Sequence, residues 1–210
     1  MNGQRVSEGT DRRQLLAHML PAGAFACMLC RRAFAATAEQ AKGGVPPPKP
    51  RPKEKCNMTY EELFNFAYVY DFIPAMKAMG AEIGREKLAG LLSRAYSAAA
   101  VERVDEQLKA NPKNDLATYT ADLRNQNPLY QNTLAYTLVE DTPATVEARV
   151  TECLWAKVFR EAGAADVGYA CLCHPEFAAV PAFNPKIKLS FTKTLMQGHD
   201  CCNPRYVMQT

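Results

Sequence analysis

The chain has 210 residues, and 48% of them are hydrophobic, which is normal for a globular protein with one core of ordinary size and an appendage. The net charge of +3 is small, and the Lys and Arg residues are scattered along the chain. These properties argue against nucleic acid or an anionic membrane surface as the partner.

The N-terminal segment resembles an export signal. Arg12 and Arg13 precede an apolar run from Leu15 to Leu29. Because a bilayer-spanning helix needs about 20 apolar residues, this run is too short to form a stable membrane span. Small residues at Ala33 and Ala35 suit cleavage by a signal peptidase. We therefore predict a twin-arginine-like signal peptide over residues 1–35, recognition by the twin-arginine export machinery, and a periplasmic or extracellular location. A disordered or membrane-surface tail is the alternative.

A proline-rich segment follows the predicted signal. Five prolines lie between Gly43 and Lys53, among glycine and basic residues. Such a stretch forms neither helix nor sheet, so we predict a stiff linker over residues 36–56. The folded domain is predicted to occupy residues 57–210.

The first half of this domain has helical patterns. Thr59 and Glu62 have the spacing of a capping box, and the apolar residues that follow recur at intervals of three and four. Pro74 is expected to kink or end this helix. A second helix is predicted over residues 85–110, and a short third one over residues 116–123.

The apolar period changes to two at Thr133, which predicts a hairpin that turns at residues 141–143 and returns through Val150. Residues 153–162 and 165–179 have helical character, and residues 186–195 return to strand. We therefore predict an α+β fold, in which N-terminal helices pack on a mainly antiparallel sheet with one or two helices between strands. Strict alternation in the last strand places Lys193 on the apolar face, so it either enters a polar pocket or is turned outward by a bulge.

The residues with the most reactive chemistry are concentrated near the C-terminus. Residues 168–206 contain four of the eight cysteines and two of the three histidines. Such groups can act as nucleophiles, bind a metal or form disulfides. A tetrahedral site for a divalent metal is one alternative, with Cys173, His174, His199 and Cys202 as ligands. Disulfides are another, since the mature protein would hold six cysteines, an even number.

Four segments resemble the L-2-amino-thiazoline-4-carboxylic acid hydrolase family. They are Gly168–Phe177, Phe183–Lys186, Thr192–Leu195 and Gly198–Tyr206. The positions that fit the family pattern are Cys173, Gly198, Asp200, Cys202 and Arg205. The resemblance implies a hydrolase acting on C–N bonds of a small cyclic amidine, which opens a thiazoline ring to give N-carbamoyl-L-cysteine.

A mechanism can be written as a hypothesis for these residues. Cys202 would attack the electrophilic carbon as a thiolate, His199 or His174 would take its proton, and Asp200 would orient that imidazole. Cys173 would lie in the same pocket.

The substrate carboxylate would be held by Lys193 or Arg205, although Arg205 could instead be a surface ion-pair residue. A metal-bound water is the rival nucleophile. A different class of function also stays open, namely a non-catalytic protein that uses Cys and His to bind a metal, a cofactor or a small ligand. A third interpretation is a passive module with bridged cysteines.

Overall fold

A computed structural model describes residues 58–124 and 127–210, and Met58–Thr210 forms one compact unit. The predicted signal peptide (1–35) and linker (36–56) lie outside the described residues. In the described part of the chain, no helix combines the length and the apolar character needed to cross a membrane.

The N-terminal half is helical, as the apolar spacing predicts. It contains α1 (Tyr60–Phe64), a π-helical segment (Asn65–Phe72), α2 (Ile73–Ile83), α3 (Arg85–Ala110), α4 (Leu116–Tyr119), α5 (Ala121–Arg124) and α6 (Pro128–Thr133). The capping box is confirmed, because Thr59 Oγ1 accepts from the Glu62 N–H and the Glu62 carboxylate accepts from the Thr59 N–H. The prediction that Pro74 could end the helix is wrong, since Pro74 lies in the first turn of α2 and the preceding turns bond in the wider π pattern.

The sheet has four antiparallel strands in the spatial order β1–β2–β4–β3. The strands are β1 (Leu134–Asp141), β2 (Thr145–Cys153), β3 (Ile187–Ser190) and β4 (Arg205–Met208). Between β2 and β3 the chain forms α7 (Leu154–Glu161), α8 (Ala165–Gly168), a π-helical segment (Tyr169–Cys173) and α9 (Glu176–Phe183). The predicted α+β fold, with its hairpin and its helices between strands, is confirmed.

The last predicted strand is shorter than expected. Strand β3 ends at Ser190 because the Asn203 side chain then replaces the ladder, with its Oδ1 atom accepting the N–H groups of Thr192 at 3.0 Å and Lys193 at 2.8 Å. A 3-10 turn over Leu195–Gln197 follows. The outward alternative for Lys193 is therefore the correct one, and its side chain is exposed.

The domain has two apolar clusters, one mainly among the helices and one between helices and sheet. One cluster joins the N-terminal helices to α7 around Phe159, Leu88 and Met196. The other joins α3 and α9 to the sheet around Val146 and Phe183. Helix α9 contacts both α3 and β3, and the preceding π segment contacts α3 and the turn at Leu195–Gln197. Glu176 at the start of α9 thereby reaches Tyr206 of β4, which donates a hydrogen bond to it.

Candidate functional site

Strand pairing determines which C-terminal side chains point inward. Val150 pairs with Cys202, and Val146 pairs with Tyr206. Val146 and Val150 are buried, and paired residues project from the same face of a sheet. Cys202 and Tyr206 therefore face the helices. The side chains that alternate with them along the chain point to the opposite face of the sheet.

Cys202 is held by the turn that follows β3. Its Sγ atom accepts the Leu195 N–H at 3.2 Å, while its own backbone exchanges hydrogen bonds with Val150. Burial raises the pKa of the Cys202 thiol. The neighbouring Cys201 is also buried, and its Sγ atom lies 3.9 Å from Asp200 Oδ1.

Two further thiols lie close to Cys202. Cys153 ends β2 and caps α7, where its Sγ atom accepts the Ala156 N–H at 3.5 Å. Burial raises the pKa of Cys153 to about 11 and raises that of Cys173 further. A charge on Cys202 would raise the pKa of both, so the three groups lie within electrostatic reach of one another. Cys153, Cys173 and Cys202 are called the thiol cluster below.

Glu176 is a part-buried residue whose carboxyl interacts electrostatically with the thiol cluster. It begins α9 three residues after Cys173, a spacing that places both side chains on one helical face. Desolvation raises the pKa of Glu176, and the Tyr206 hydroxyl donates a hydrogen bond to its Oε1 atom. The Glu176 charge in turn raises the pKa of Cys173 and Cys202. The carboxyl and the thiols therefore form one electrostatically connected group.

An open cleft of about 1060 Å³ borders the thiol cluster at Cys153. Cys153 lines it, and so does Leu195, the residue whose N–H contacts Cys202. Its charged lining residues are Glu61, Glu152, Lys157, Arg160 and Glu161. Lys157 pairs with Glu61 at 2.7 Å, whereas Arg160 makes no ion pair within residues 58–124 and 127–210.

The structure does not bring Asp200 to an imidazole. Asp200 Oδ1 instead accepts from Lys193 Nζ at 2.9 Å, Arg149 lies 3.8 Å from its other oxygen, and all three side chains are about half exposed. The predicted role of Asp200 in orienting a histidine thus has no geometric support. Lys193, predicted to hold a carboxylate, is occupied by the same ion pair.

Arg205 is also an outward ion-pair residue. Its Nη1 atom contacts Glu140 at 2.6 Å and Glu147 at 2.5 Å, across three neighbouring strands. Because Tyr206 faces the helices, its neighbour Arg205 faces away from the thiol cluster. The surface ion-pair alternative is the one that the structure shows, and the predicted contact of Arg205 with a substrate carboxylate has no geometric support in this conformation.

The two predicted histidines have local partners. His199 Nδ1 lies 3.2 Å from the Thr194 N and 3.1 Å from the Thr194 carbonyl, so this ring helps to close the 194–199 loop. The His174 ring contacts the rings of Tyr169 and Phe177. No hydrogen bond joins either ring to Asp200 or to a thiol in the described part of the chain.

The ligand set predicted for a metal does not assemble. Among the described residues, no group of three or more His, Cys, Asp or Glu side chains is arranged to hold a metal ion. The four side chains Cys173, His174, His199 and Cys202 are therefore not supported as a divalent-metal site. The five described cysteines, Cys153, Cys171, Cys173, Cys201 and Cys202, carry no disulfide, so the bridged alternative has no support among them either.

Sequence reasoning did not identify Cys153, Glu176 or Tyr206. Two signals were available in the sequence. Cys173 and Glu176 are three positions apart on a helical segment, and Cys202 and Tyr206 are an even number of positions apart, which places both on one face of an extended chain. Cys153 stands where a strand pattern changes to a helical one. Only the packing of 169–183 against β4 shows that these residues meet.

One comparison with known proteins identifies a family. The model of the L-2-amino-thiazoline-4-carboxylic acid hydrolase family matches residues 64–206, most of the described domain. No curated protein matches the chain. One similar solved structure is the crystal structure of the phenol-responsive sensory domain of the transcription activator PoxR with phenol, at 15% identity and a TM-score of 0.44, covering 64% of this chain and 71% of that one. From the family match, the chain belongs to the L-2-amino-thiazoline-4-carboxylic acid hydrolase family.

Proposed function

We propose that this protein is a hydrolase that opens a small cyclic amidine, with the thiol cluster and Glu176 as its reactive groups. The observation that carries the proposal is that three part-buried thiols and the Glu176 carboxyl interact electrostatically, and that one of these thiols, Cys153, lines an open cleft. The family name supplies the substrate class, an amino-thiazoline carboxylate.

The proton must leave the nucleophile before attack. Burial raises the pKa of all three thiols, so each is protonated at neutral pH. Glu176 is the group placed to accept a proton from Cys202. Its raised pKa makes it a stronger base than a solvated carboxylate, because proton transfer is most efficient when the pKa of the base lies close to the working pH.

The reaction then has two balanced steps. The Cys202 thiolate adds to the ring carbon between sulfur and nitrogen, and the ring C–S bond breaks while the proton held by Glu176 passes to the departing sulfur. Water next adds to the S-linked carbon, and the bond between that carbon and Cys202 Sγ breaks. One proton of the water passes to Sγ and the other to the imine nitrogen, so that the thiol is restored and the urea group of the product is released. Because both nitrogens stay on that carbon, the bond hydrolysed is C–S, and the predicted action on C–N bonds is not what this product requires.

The cleft offers a cation in place of the two that the sequence predicted. Lys193 and Arg205 are engaged in ion pairs, whereas Arg160 lies in the cleft lining without one among the described residues. A guanidinium pairs with a carboxylate through two parallel hydrogen bonds. We assign Arg160 the role of binding the substrate carboxylate in the cleft.

The direct test is a ring-opening assay with L-2-amino-thiazoline-4-carboxylate, read as release of a product thiol after removal of protein. Cys202→Ser and Glu176→Gln are expected to lower kcat by about a hundredfold or more, the usual contribution of a nucleophile or a general base. Cys201→Ala is the matched control, because Cys201 is the adjacent thiol outside the cluster. Full activity in Cys202→Ser would refute the nucleophile assignment.

The second candidate is a binding protein without turnover, and the protonated state of all three thiols favours it. In that case the wild-type protein binds the thiazoline in calorimetry but releases no thiol over many hours. Native mass spectrometry of the oxygen-free protein tests the related alternative of a metal or cofactor held by Cys and His. A mass that falls on denaturation would support it.

We also propose that the protein is exported through the twin-arginine machinery and acts in the periplasm or outside the cell. The paired Arg12 and Arg13 ahead of the Leu15–Leu29 run support this. Replacing both arginines with lysine is expected to retain the protein in the cytoplasm of a host with this machinery, as measured by cell fractionation. Unchanged fractionation would refute the export proposal.

A further inference from the structure

Three polar atoms at or near Glu176 have no hydrogen-bond partner among the described residues. Tyr206 donates to Oε1 of Glu176, but within residues 58–124 and 127–210 the other carboxyl oxygen, Oε2, accepts no hydrogen bond. The hydroxyls of Tyr119 and Tyr130 make none within that part of the chain either. Each of these residues is only partly buried.

These atoms open onto space rather than onto protein. In the described part of the chain, no side-chain nitrogen or oxygen is both sealed from solvent and without a hydrogen-bond partner. Since Glu176 Oε2 and the two hydroxyls have no partner in that part of the chain and are not among the sealed atoms, each is accessible to a water-sized molecule. Such atoms inside a fold mark a ligand cavity or a hydrated one.

The Tyr206 hydroxyl contacts Glu176 directly, and Tyr119 and Tyr130 lie within electrostatic reach of the same carboxyl. Burial raises the pKa of Tyr130 to about 12 and also raises the pKa values of Tyr119 and Tyr206, and the Glu176 charge adds to each of these shifts. The Tyr119 ring lies 5.7 Å from the Tyr206 ring and 5.0 Å from Phe183. Glu176, Tyr119, Tyr130 and Tyr206 are called the tyrosine chamber below.

The chemistry of the chamber favours a planar ligand that presents N–H groups. A carboxyl pairs with an N–C–N unit through two parallel hydrogen bonds, and it does so in both protonation states of the pair. An ionised carboxylate accepts two N–H bonds from an amidinium, whereas a neutral acid donates one bond to a neutral amidine and accepts one from it. Phenol oxygens accept the remaining N–H groups, and the aromatic walls suit a flat group.

We propose that the tyrosine chamber is the recognition site for the N–C–N head of the ligand, with Glu176 as the anchor and Tyr119 and Tyr130 as flanking hydrogen-bond partners. The substrate to which this site belongs rests on the proposed function, but the binding itself needs no turnover. Tyr206 acts here as a positioning residue, because it holds Glu176 rather than facing the ligand.

The test measures binding in a full-length protein with Cys202→Ser, so that chemistry does not contribute. The probe is acetamidine, titrated by calorimetry at constant ionic strength, with acetamide as the uncharged comparison. Glu176→Gln is expected to weaken acetamidine binding at least about tenfold, and Tyr119→Phe and Tyr130→Phe by about threefold to tenfold each, the range of one lost hydrogen bond. Tyr70→Phe is the matched control, because Tyr70 is 70% exposed, and it should leave the affinity unchanged.

Equal acetamidine affinity in the parent and in Glu176→Gln would overturn the proposal. If Glu176→Gln does not fold, as judged by circular dichroism, the double variant Tyr119→Phe/Tyr130→Phe decides, and undiminished binding there would overturn the proposal. The outcome also separates the two proposals. Acetamidine binding that depends on Glu176, without ring opening by the wild type, supports the chamber and refutes the hydrolase. Ring opening by a protein whose acetamidine binding ignores Glu176 refutes the chamber alone.

Discussion

Gly168→Ala is expected to destabilise the domain because there is no room for a methyl group at this position. A Cβ atom placed on Gly168 would lie 2.6 Å from Met196 Sδ and 2.8 Å from Phe159 Cγ. Both neighbours are buried, with exposed fractions of 2% and 0%. The backbone angles of Gly168, φ −59° and ψ −44°, are helical, so alanine would be strained only by contact.

The size of the effect follows from two opposing terms. Overpacking a core costs about 1–3 kcal/mol, and replacing a helical glycine by alanine gains at most about 1 kcal/mol. Because both clashing neighbours are buried, the overpacking cost lies in the upper part of its range, about 2–3 kcal/mol. The net loss is then about 1–2 kcal/mol, which for a domain of this size lowers the Tm by about 2–8 °C. Met196 also lies in the turn that presents the Leu195 N–H to Cys202, so any proposed ring-opening activity should fall with it.

The matched control is Gly90→Ala in α3. A Cβ atom there meets only Arg94 Nη1, at 3.6 Å, so the helix gains alanine's propensity without a clash. Thermal unfolding followed by circular dichroism should show a lower Tm for Gly168→Ala and an equal or higher one for Gly90→Ala. A Gly168→Ala protein as stable as wild type would refute the packing argument.

Three other predictions concern single side chains. Because the pKa of Cys153 is about 11, only about one thiol in a thousand is ionised at pH 8. Alkylation of Cys153 by iodoacetamide, followed by peptide mapping, should therefore accelerate roughly tenfold per pH unit from pH 7 to 9. Rapid labelling at pH 7 would contradict this. The Arg85 hydrogen bond lowers the pKa of Asp166, so the pair stabilises the fold above the unfolded pKa of about 3.9 and loses that contribution as pH falls through the lower folded value. Since both side chains are partly exposed, Asp166→Asn should cost no more than about 1 kcal/mol in urea unfolding at pH 7, and a deficit that persists at pH 2 would exclude this pair as the cause. Thr59→Ala removes the α1 cap and should cost about 0.5–1 kcal/mol in the same assay. The control Thr59→Ser keeps the capping hydroxyl, so its free energy of unfolding should stay within a few tenths of a kcal/mol of wild type. Equal losses in the two variants would rule out the cap as the cause.

The fold was largely predictable because its helices and hairpin have regular apolar periods. The 85–110 helix and the strand pair around the 141–145 turn follow directly from that spacing. Strand β4 was not predicted, because four residues after Asn203-Pro204 carry little local signal and the strand exists only through pairing with β2 and β3. The early end of β3 was equally unpredictable, since it depends on the side chain of Asn203, which caps the chain from a distance.

The candidate site was predictable in part, for a related reason. Reactive residue types drew attention to Cys173 and Cys202, and the structure places both in the thiol cluster. The charged candidates Lys193, Asp200 and Arg205 were chosen by chemistry, yet each has an ion-pair partner on the outer surface. Ion-pair partners on distant strands cannot be predicted from one segment of sequence. The even spacing of Cys202 and Tyr206, by contrast, predicts that both side chains lie on the same face.

Arg205 allows a test of whether its guanidinium ties strands together or binds substrate. Its ion pairs with Glu140 and Glu147 join β4 to β1 and β2, and they fix the register that turns Tyr206 toward Glu176. If Arg205 acts only through this register, the single variant Arg205→Gln and the double variant Glu140→Gln/Glu147→Gln should lower the affinity for the amidine by similar factors. The protein that carries all three changes should lose little more, because each set of changes breaks the same contact. If Arg205 instead held a substrate carboxylate, the glutamate variants would release it and strengthen binding of the anionic thiazoline, so the sign of that change distinguishes a strand tie from a substrate ligand.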